Sequence, residues 1–353
     1  MTKSYETALA LKVPYSEGES IRRRLIEKGI LRTQLKISKD KSFLYLPISF
    51  QPKEDASYPV VSMSFEVLED PQRSYKELLD VPENLKALAP SSFDIIGSIL
   101  LIKIPEELKD YRVEIGQALL TTHHHVETVC DVEPVSGEFR TRDITVIAGK
   151  SSYVTVHTEF GLQFEVDVKR TYFSPRLGGE RRRIAELVKK DEVIVDMFTG
   201  VAPFPMMIAR YSQPKMIYAI DKNDVAIRFA RKNILRNKCE EVIEVIHKDA
   251  KQVDRIMSER NEKADRLIMN LPFLSFNFLP DAFHSCAHHS TIHYYEILSD
   301  EQLACRIEDI RTLTKEMGII LQSIDVHKIK TYAPREFYIA LDITARNNHA
   351  DVA

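Results

Sequence analysis

Apolar residues recur along this chain with two different periods, and each period predicts a type of element. Near the N-terminus they alternate over residues 8–13, as in a strand, and then recur at helical spacing over residues 17–28. Two short apolar runs at 35–37 and 43–46 flank a polar stretch and predict a β-hairpin. Residues 1–50 are therefore expected to form a small α/β unit.

The next two regions differ in composition. Residues 50–92 are acidic and interrupted by prolines, which favours a linker or a peripheral insertion with one or two helical pieces. A strand pair around Gly97 is then predicted within residues 93–105, followed by an amphipathic helix over 106–120. Alternating runs predict further strands at 126–129, 145–147, 154–156 and 162–166. An open sheet with a helix on one face is expected here.

From Tyr172 onward, predicted strands and helices alternate, which is typical of a doubly wound sheet. The predicted strands cover 193–196, 216–220, 243–246, 266–269, 291–295, 319–326 and 337–342, and helices are expected at 205–211 and 225–233. The patterns divide the chain into an N-terminal domain at 1–70, a linker at 71–92, a middle α+β domain at 93–171 and an α/β domain at 172–353.

The stretch 191–204 carries the first indication of chemistry. A strand runs into the turn Phe198-Thr-Gly200, and the next strand ends at Asp221, about 20 residues beyond that turn. Such a turn lets backbone approach a nucleoside, while the acid accepts from ribose hydroxyls. One glycine is too few for a dinucleotide fingerprint, so a nucleoside without a pyrophosphate, most commonly S-adenosylmethionine, is favoured. An ordinary α/β unit whose strand ends in Asp is the alternative.

Three more polar side chains lie at places where chemistry is expected. Asp249 follows the third strand of this region, where an acid can accept from the exocyclic amine of an adenine. Asn270-Leu-Pro-Phe273 closes the fourth strand, where it either grips a planar ring or forms a tight turn. Glu180 begins a predicted helix among arginines, either stabilised by the helix dipole or placed as a general base above the cofactor pocket.

Charge and cysteine content add two further points. The net charge is −3, yet residues 1–50 carry ten Lys/Arg against five Asp/Glu, and residues 168–190 carry eight against two. Basic blocks of this kind either follow a phosphate backbone or form solvated faces. Four cysteines without CxxC spacing indicate a reduced cytosolic protein without a structural zinc, and no apolar run has the length of a membrane span.

Several motifs together resemble one family across nearly the whole chain. They lie at 12–14, 25–31, 93–97, 137–140, 172–181, 196–201, 269–272, 292–295 and 332–336. The chain resembles the Rossmann-type tRNA (guanine-N1)-methyltransferases of archaea and eukaryotes, which methylate guanosine 37, immediately 3′ of the anticodon. This resemblance implies a class I (Rossmann-like) S-adenosyl-L-methionine-dependent methyltransferase domain, preceded by two smaller α+β RNA-binding domains.

The resemblance also implies roles for particular residues and domains. The N-terminal domain would recognise the outer corner of tRNA, and the middle and catalytic domains would grip the anticodon arm. Glu180 would remove the N1 proton, Arg140 would stabilise charge on guanine O6, and Asn270 and Pro272 would line the base and methyl-donor pocket. The implied cofactor contacts are Arg181, Phe198, Gly200, Asp221, Lys222, Asp249, Ala250 and Asn270.

One position and one short stretch depart from the family pattern. Ala202 stands where glycine is common and should narrow the turn without closing it, and residues 273–276 form an unfamiliar stretch beside the base pocket. The second departure leaves open methylation or aminocarboxypropylation of a wyosine-type tricyclic base at the same tRNA position. A tRNA-binding protein without activity is a further alternative. A cytoplasmic monomer without a metal ion is expected.

Overall fold

The computed structural model of this chain describes residues 4–40, 42–52, 55, 57–67, 74–133 and 143–347. Contacts divide the chain into two compact units, Met1–Leu79 and Asp80–Ala353. Within the described ranges, no helix is long and apolar enough to cross a membrane.

In the N-terminal unit one helix packs on an antiparallel sheet with strand order β2–β3–β1–β4. The elements are β1 (Tyr5–Pro14), α1 (Tyr15–Glu27), β2 (Ser38–Lys39), β3 (Phe43–Ile48) and β4 (Val60–Glu66). The predicted strand, helix and hairpin are confirmed, although the first hairpin strand lies at Ser38–Lys39 and not at 35–37. The prediction of a linker or insertion at 50–92 was wrong for β4, which pairs with β1 from Tyr5↔Glu66 to Leu11↔Val60.

The second unit begins with a four-stranded sheet in the order β5–β6–β7–β8, against which one helix packs. Its elements are α2 (Glu83–Lys86), β5 (Phe93–Ile96), β6 (Ile99–Ile102), a 3-10 turn (Glu106–Tyr111), α3 (Arg112–Thr122), β7 (Thr128–Val132), β8 (Ile144–Gly149), β9 (Val154–Glu159) and β10 (Leu162–Asp167). The predicted open sheet is confirmed for its first four strands. In contrast, β9 and β10 pair with each other as a separate hairpin.

The turn between β5 and β6 is held tightly against β9. The amide of Ser98 donates to Thr155 Oγ1 (2.9 Å), and the amide of Gly97 lies 3.2 Å from His157 Nδ1. Gly97 has a φ of +56°, and a Cβ there would lie 2.3 Å from Thr155 Oγ1 and 2.5 Å from the carbonyl oxygen of Val156. Only glycine permits both this backbone conformation and this close approach.

The rest of the unit is a seven-stranded sheet in the order β13–β12–β11–β14–β15–β17–β16. The elements are α4 (Gly178–Leu187), β11 (Val193–Asp196), α5 (Pro203–Tyr211), β12 (Met216–Asp221), α6 (Asp224–Arg236), β13 (Ile243–His247), α7 (Val253–Glu259), β14 (Ala264–Met269), α8 (Leu279–Ser285), β15 (Cys286–Leu298), α9 (Asp300–Glu316), β16 (Ile320–Ala333) and β17 (Glu336–Arg346). Strands β11 to β15 run parallel to one another, whereas β17 runs antiparallel to both of its neighbours, β15 and β16. The predicted doubly wound sheet is confirmed.

The central sheet is covered on both faces, because successive strand residues point in opposite directions. Ile194 of β11 packs with residues of α4, α5 and α6, whereas its neighbours Val193 and Val195 pack with α7, α8 and α9. The first of these cores also includes Ile99 of β6 and Phe164 of β10. This shared core joins the middle sheet to the doubly wound sheet and fixes the loop that precedes α4.

Replacing Gly97 with alanine should lower the free energy of unfolding by about 2–4 kcal/mol, since the new methyl adds steric overlap to backbone strain. Gly161→Ala is the matched control: Gly161 also has a positive φ (+77°), but nothing lies within 4 Å of its Cβ position. That variant should lose only about 1 kcal/mol. Urea unfolding measures both values, and equal losses would contradict the close approach at Gly97.

Candidate active site

A cleft lies at the carboxyl ends of four neighbouring parallel strands. Its walls come from segments that follow β11, β12, β13 and β14, and from the loop before α4. These segments are 197–200, 221–223, 249–250, 270–271 and 172–177. In an open α/β sheet this is the place where ligands bind. All eight residues predicted as cofactor contacts from the sequence line this one cleft.

The turn after β11 is tied to the end of β12. Gly200, with a φ of +55°, donates its amide hydrogen to Asp221 Oδ2 (2.7 Å), and the amide of Asn223 donates to Asp221 Oδ1 (2.8 Å). Burial raises the pKa of Asp221, although these backbone hydrogen bonds oppose the shift. Asp221 therefore shapes the turn and places a carboxylate on the wall of the cleft.

Ala202, the first departure from the family pattern, occupies a left-handed backbone conformation with a φ of +67° and is completely buried. Left-handed backbone costs a non-glycine residue roughly 1–2 kcal/mol. Burying the methyl group returns about 0.8 kcal/mol, which offsets much of that strain. The alanine lies beneath the turn and outside the cleft wall, so the cleft stays open beside it.

The part of the cleft next to Lys222 contains an acidic group, and aromatic groups lie elsewhere in its wall. Asp249 lies 3.7 Å from the Lys222 ammonium and accepts from the amide of Lys251 (2.9 Å). Phe198 and Phe278 form an edge-to-face pair, 5.0 Å between centroids, within the wall. Carboxylates at or just after the ends of two neighbouring strands and an aromatic pair in the same wall fit an adenosyl group, which needs acceptors for its ribose hydroxyls and amine and a surface for its ring.

Arg181 lines the cleft, but its guanidinium is bonded to protein. It donates to both oxygens of Glu159 (2.9 and 2.5 Å) and to the carbonyl of Ser174 (3.0 Å), and it stacks over Phe173 at 5.0 Å. A bidentate pair of this kind is rigid and well oriented. Arg181 thus holds the loop 172–177 in place over the cofactor cleft.

Glu180, the predicted general base, is buried beside the cleft and is not one of the residues that line it. Its carboxylate accepts from Arg183 Nε (2.8 Å) and Nη2 (2.7 Å) and from the Tyr295 hydroxyl (2.7 Å). Arg183 also donates to Asp342 (2.6 and 3.2 Å). The carboxylate is therefore fixed by a cation and a neutral donor.

The other predicted catalytic residues occupy different surroundings. Asn270 is on the cleft wall, and its Oδ1 accepts from the Tyr338 hydroxyl. Pro272 is buried behind the wall, where its carbonyl accepts from the amide of Ile297 (3.2 Å). Leu274 completes the wall and is 45% exposed. Arg140 lies outside the residues that the structure describes.

A chain of buried polar groups continues from Arg183 into the sheet. Asp342 accepts from His293 Nδ1 (2.6 Å), and His293 Nε2 lies 2.7 Å from Arg266 Nη1. Burial lowers the pKa of His293. Burial alone would raise the pKa of Asp342, but hydrogen bonds from His293 and Arg183 bring that pKa below its usual range. Asp342 is therefore the ionised group that anchors Arg183.

Among the residues of the site that the sequence did not identify are Asn223, Phe278 and Tyr338. Asn223 caps α6 by accepting from the amides of Val225 and Ala226, and an Asn immediately before a helical pattern is a signal that could have revealed it. Phe278 and Tyr338 reach the site only through tertiary packing, so no local pattern identifies them.

Family comparisons agree with this geometry. Residues 155–324 match the TRM5/TYW2 methyltransferase domain, residues 75–152 the TYW2 N-terminal domain, and residues 10–56 the tRNA methyltransferase 5 N-terminal domain. The chain is 38% identical over 336 residues to the tRNA (guanine(37)-N(1))-methyltransferase Trm5b of Pyrococcus abyssi, covering 95% of this chain and 98% of that protein. This chain belongs to the TRM5/TYW2 methyltransferase family.

Solved structures of this family share the fold. The crystal structure of Pyrococcus abyssi Trm5b matches with a TM-score of 0.72, covering 96% of this chain and 100% of that one. The complex of aTrm5 with tRNALeu matches with a TM-score of 0.67 at 32% identity, covering 95% and 99%. The structure of Methanocaldococcus jannaschii TYW2 in complex with AdoMet matches at 0.56 and 26% identity, covering 72% and 100%.

A second branch of the family is also similar. The tRNA(Phe) (4-demethylwyosine(37)-C(7)) aminocarboxypropyltransferase of Pyrococcus horikoshii is 32% identical over 265 residues, covering 75% of this chain and 92% of that protein. Membership of the family confirms the predicted resemblance, the α/β fold with a class I methyltransferase domain, the enzyme class and S-adenosyl-L-methionine as the cofactor.

Asp196 lies buried at the end of β11, and its Oδ2 has no hydrogen-bond partner among the described residues. Burial raises its pKa to about 7, against a weak hydrogen bond from the amide of Phe198. In the unfolded chain the pKa of an aspartic acid is about 3.9. The stability that protonation gives is therefore fully present below that pH and is lost as the pH rises through about 7.

Asp196→Asn, which removes the buried charge, should raise the melting temperature of the cofactor-free protein at pH 8 by roughly 2–6 °C and at pH 5 by clearly less. Asp224→Asn, on the exposed start of α6, should give the same small change at both pH values. Thermal unfolding at the two pH values measures the difference. Equal gains from Asp196→Asn at pH 5 and pH 8 would contradict a protonated native carboxyl.

Proposed function

We propose that this family member transfers the methyl group of S-adenosyl-L-methionine to N1 of guanosine 37 in tRNA. The observation that carries the proposal is the connection between the nucleoside cleft and a buried carboxylate: Asn270 on the wall bonds Tyr338, which packs on Tyr295, which bonds Glu180. Methylation at N1 needs both groups, one to hold the base and one to take its proton. The Pyrococcus abyssi relative named for this reaction supports it over nearly the full chain.

The proposed chemistry is proton removal combined with in-line methyl transfer. Guanine N1 carries a proton at neutral pH, and Glu180 accepts that proton as the N1–methyl bond forms. When bound, S-adenosyl-L-methionine would supply the electrophilic methyl group, with its sulfur–methyl bond breaking as the N1–methyl bond forms and S-adenosyl-L-homocysteine as the leaving product. Arg140 is proposed to stabilise the negative charge that develops on O6. Glu180 is engaged by Arg183 and Tyr295. The guanine must therefore enter that hydrogen-bonded cluster, since catalytic contacts tighten on substrate binding.

Recognition of the RNA is proposed to be shared among the domains. Guanosine 37 must leave its stack to reach the cleft, at a cost of a few kcal/mol. The domain at 1–70 would bind the outer corner of tRNA, and the domains at 93–171 and 172–353, joined to it by the linker at 71–92, would hold the anticodon arm. Exposed Lys169 and Arg170, which directly precede the cleft-lining loop, suit phosphate contacts. The enzyme is proposed to act as a cytoplasmic monomer.

A second candidate is methylation or aminocarboxypropylation of a wyosine-type base at position 37. The similarity to the Pyrococcus horikoshii aminocarboxypropyltransferase favours it, as does the exposed pair Phe273 and Leu274 next to Asn270, which leaves room for a wider ring. The name of that relative concerns a different product, so product chemistry separates the two candidates. A binding protein without activity would give neither product.

Incubation of an unmodified tRNA transcript with the protein and methyl-labelled cofactor should place label in 1-methylguanosine at position 37. Nuclease digestion and liquid chromatography identify the nucleoside. A transcript with adenosine at position 37 is the control and should stay unlabelled. Methyl label confined to a tricyclic base, in tRNA that already carries that precursor, would establish the methylating form of the second candidate and refute the first. An aminocarboxypropyl adduct of that base, detected by its mass while the label stays in methylthioadenosine, would establish the other form.

Replacing Asp221 with alanine should weaken S-adenosyl-L-methionine binding by about 10–100-fold, since a hydrogen bond to a charged acceptor is worth about 1.5–3 kcal/mol. Asp224→Ala is the matched control, because that carboxylate pairs with Arg228 on the exposed side of α6. Calorimetric titration gives the two dissociation constants. Equal affinity in Asp221→Ala and the control would remove Asp221 from the cofactor site.

A further inference from the structure

Two tyrosines on neighbouring strands lie between the cleft and the buried carboxylate. In the antiparallel pairing of β15 with β17, Tyr295 is opposite Ala340 and Tyr338 is opposite Ile297. The two tyrosines therefore occupy diagonal positions on one face of the sheet, where long side chains meet. Their ring centroids are 6.1 Å apart at an angle of 47°, and both side chains are buried. We call them the tyrosine pair.

The hydroxyl groups of the tyrosine pair end on the two side chains that the proposed function places at the target base. Tyr295 donates to Glu180 Oε1 at 2.7 Å. Tyr338 donates to Asn270 Oδ1. Burial, reinforced by the neighbouring carboxylate, raises the pKa of Tyr295 well above its ordinary value, so this hydroxyl keeps its proton and remains a donor at any working pH. One rigid aromatic layer thus controls two polar groups.

The bond from Tyr338 determines which end of the Asn270 amide can serve a ligand. A primary amide has an acceptor oxygen and a donor nitrogen at opposite ends. With the oxygen bonded to Tyr338, the nitrogen is the end that is turned away from the tyrosine. A donor at this place matches the O6 acceptor of guanine and opposes the exocyclic amine of adenine.

The hydrogen bond from Tyr295 can keep the Glu180 carboxylate in one direction when an entering base displaces the Arg183 guanidinium. Arg183 holds both carboxylate oxygens, but it is shared with Asp342 and is partly exposed. Tyr295 is fully buried and is the neutral contact. The charged and titratable groups around Glu180 are Arg183 and Tyr295, with Asp342, His293 and His327 behind Arg183.

We propose that Tyr295 and Tyr338 are positioning residues for base methylation, Tyr295 by aiming the Glu180 carboxylate and Tyr338 by fixing the Asn270 amide for a 6-oxopurine. This inference rests on the proposed function and extends it to two residues that touch no reacting atom. The competing explanation is structural: each hydroxyl satisfies a buried polar group and contributes stability alone.

Tyr294 provides a matched control within the same strand. It is buried like its neighbour, but it points to the opposite face of the sheet, where its hydroxyl donates to Glu296 next to Arg306. Tyr294→Phe therefore removes an equivalent hydrogen bond, from a buried hydroxyl to a carboxylate, on the face away from the tyrosine pair. If the hydroxyls contribute stability alone, phenylalanine at 294, 295 and 338 should have similar effects. If they position the reacting groups, only the variants at 295 and 338 should slow methyl transfer.

The test compares Tyr295→Phe, Tyr338→Phe and Tyr294→Phe in the full chain, by single-turnover methylation of unmodified tRNA at saturating S-adenosyl-L-methionine. Tyr295→Phe and Tyr338→Phe should each slow the methyl-transfer step about tenfold or more, with cofactor and tRNA dissociation constants within twofold of wild type. Tyr294→Phe should keep the rate within twofold.

A transcript with 6-thioguanosine at position 37 tests the Tyr338 assignment separately, since sulfur is a weaker acceptor than oxygen. Wild type and Tyr294→Phe should lose rate on this substrate, and Tyr338→Phe should lose clearly less, which is the coupling expected of a double-mutant cycle. An equal loss in Tyr338→Phe and wild type would overturn the role of Tyr338.

A rate within twofold of wild type in Tyr295→Phe would overturn the role of Tyr295, and an equal loss in Tyr294→Phe would overturn the inference as a whole. These results require that the wild-type protein forms 1-methylguanosine. Absence of that product from the wild type refutes the proposed function and the inference with it, so the two failures are distinguishable.

Discussion

The hydrogen bond from the amide of Gly200 to the carboxylate of Asp221 determines the shape of the cleft. It joins the turn after β11 to the end of β12, and β11 and β12 are parallel neighbours in the sheet. The same carboxylate accepts from the amide of Asn223, which begins α6. One side chain therefore fixes a turn, a strand end and a helix start. The remaining cleft groups, Asp249 and Asn270, follow from the parallel order of the adjacent strands.

A second constraint is the buried charge that extends from Glu180 through Arg183, Asp342 and His293 to Arg266. Buried ion pairs contribute little net stability compared with apolar packing, yet removing one partner costs about 3–5 kcal/mol. Such a network serves to hold charged groups in one arrangement. Here it brings α4, β15, β17 and β14 into register around Glu180, with the cofactor cleft on one side.

The cleft was largely predictable from the sequence, because its residues follow local rules. Asp221 and Asn270 each end an apolar run, Asp249 follows a third run closely, and the ends of parallel strands meet at one edge of a sheet. The surroundings of Glu180 were not predictable. Arg183 meets Asp342 across 159 positions of sequence, and the tyrosine pair depends on the register of β15 and β17, which no local pattern encodes.

Elsewhere, tertiary structure overrode local signals. Strand β4 lies in a stretch whose prolines and acidic residues favour a linker, and it is a strand because β1 offers an unpaired edge. The separate hairpin of β9 and β10 looked like a continuation of the middle sheet, since both alternate in the same way. Ala202 shows the converse, since a buried methyl group offsets the strain of a position where glycine is expected.

The most direct test is a crystal structure with S-adenosyl-L-homocysteine and an anticodon stem-loop that carries guanosine 37. The account predicts a guanine in the cleft with N1 within about 2.6–3.2 Å of a Glu180 carboxylate oxygen, the distance that proton transfer requires. Tyr295 should still bond that carboxylate, and the Asn270 nitrogen should face O6. A seated guanine whose N1 is directed away from Glu180, with the carboxylate still enclosed by Arg183, would contradict the account.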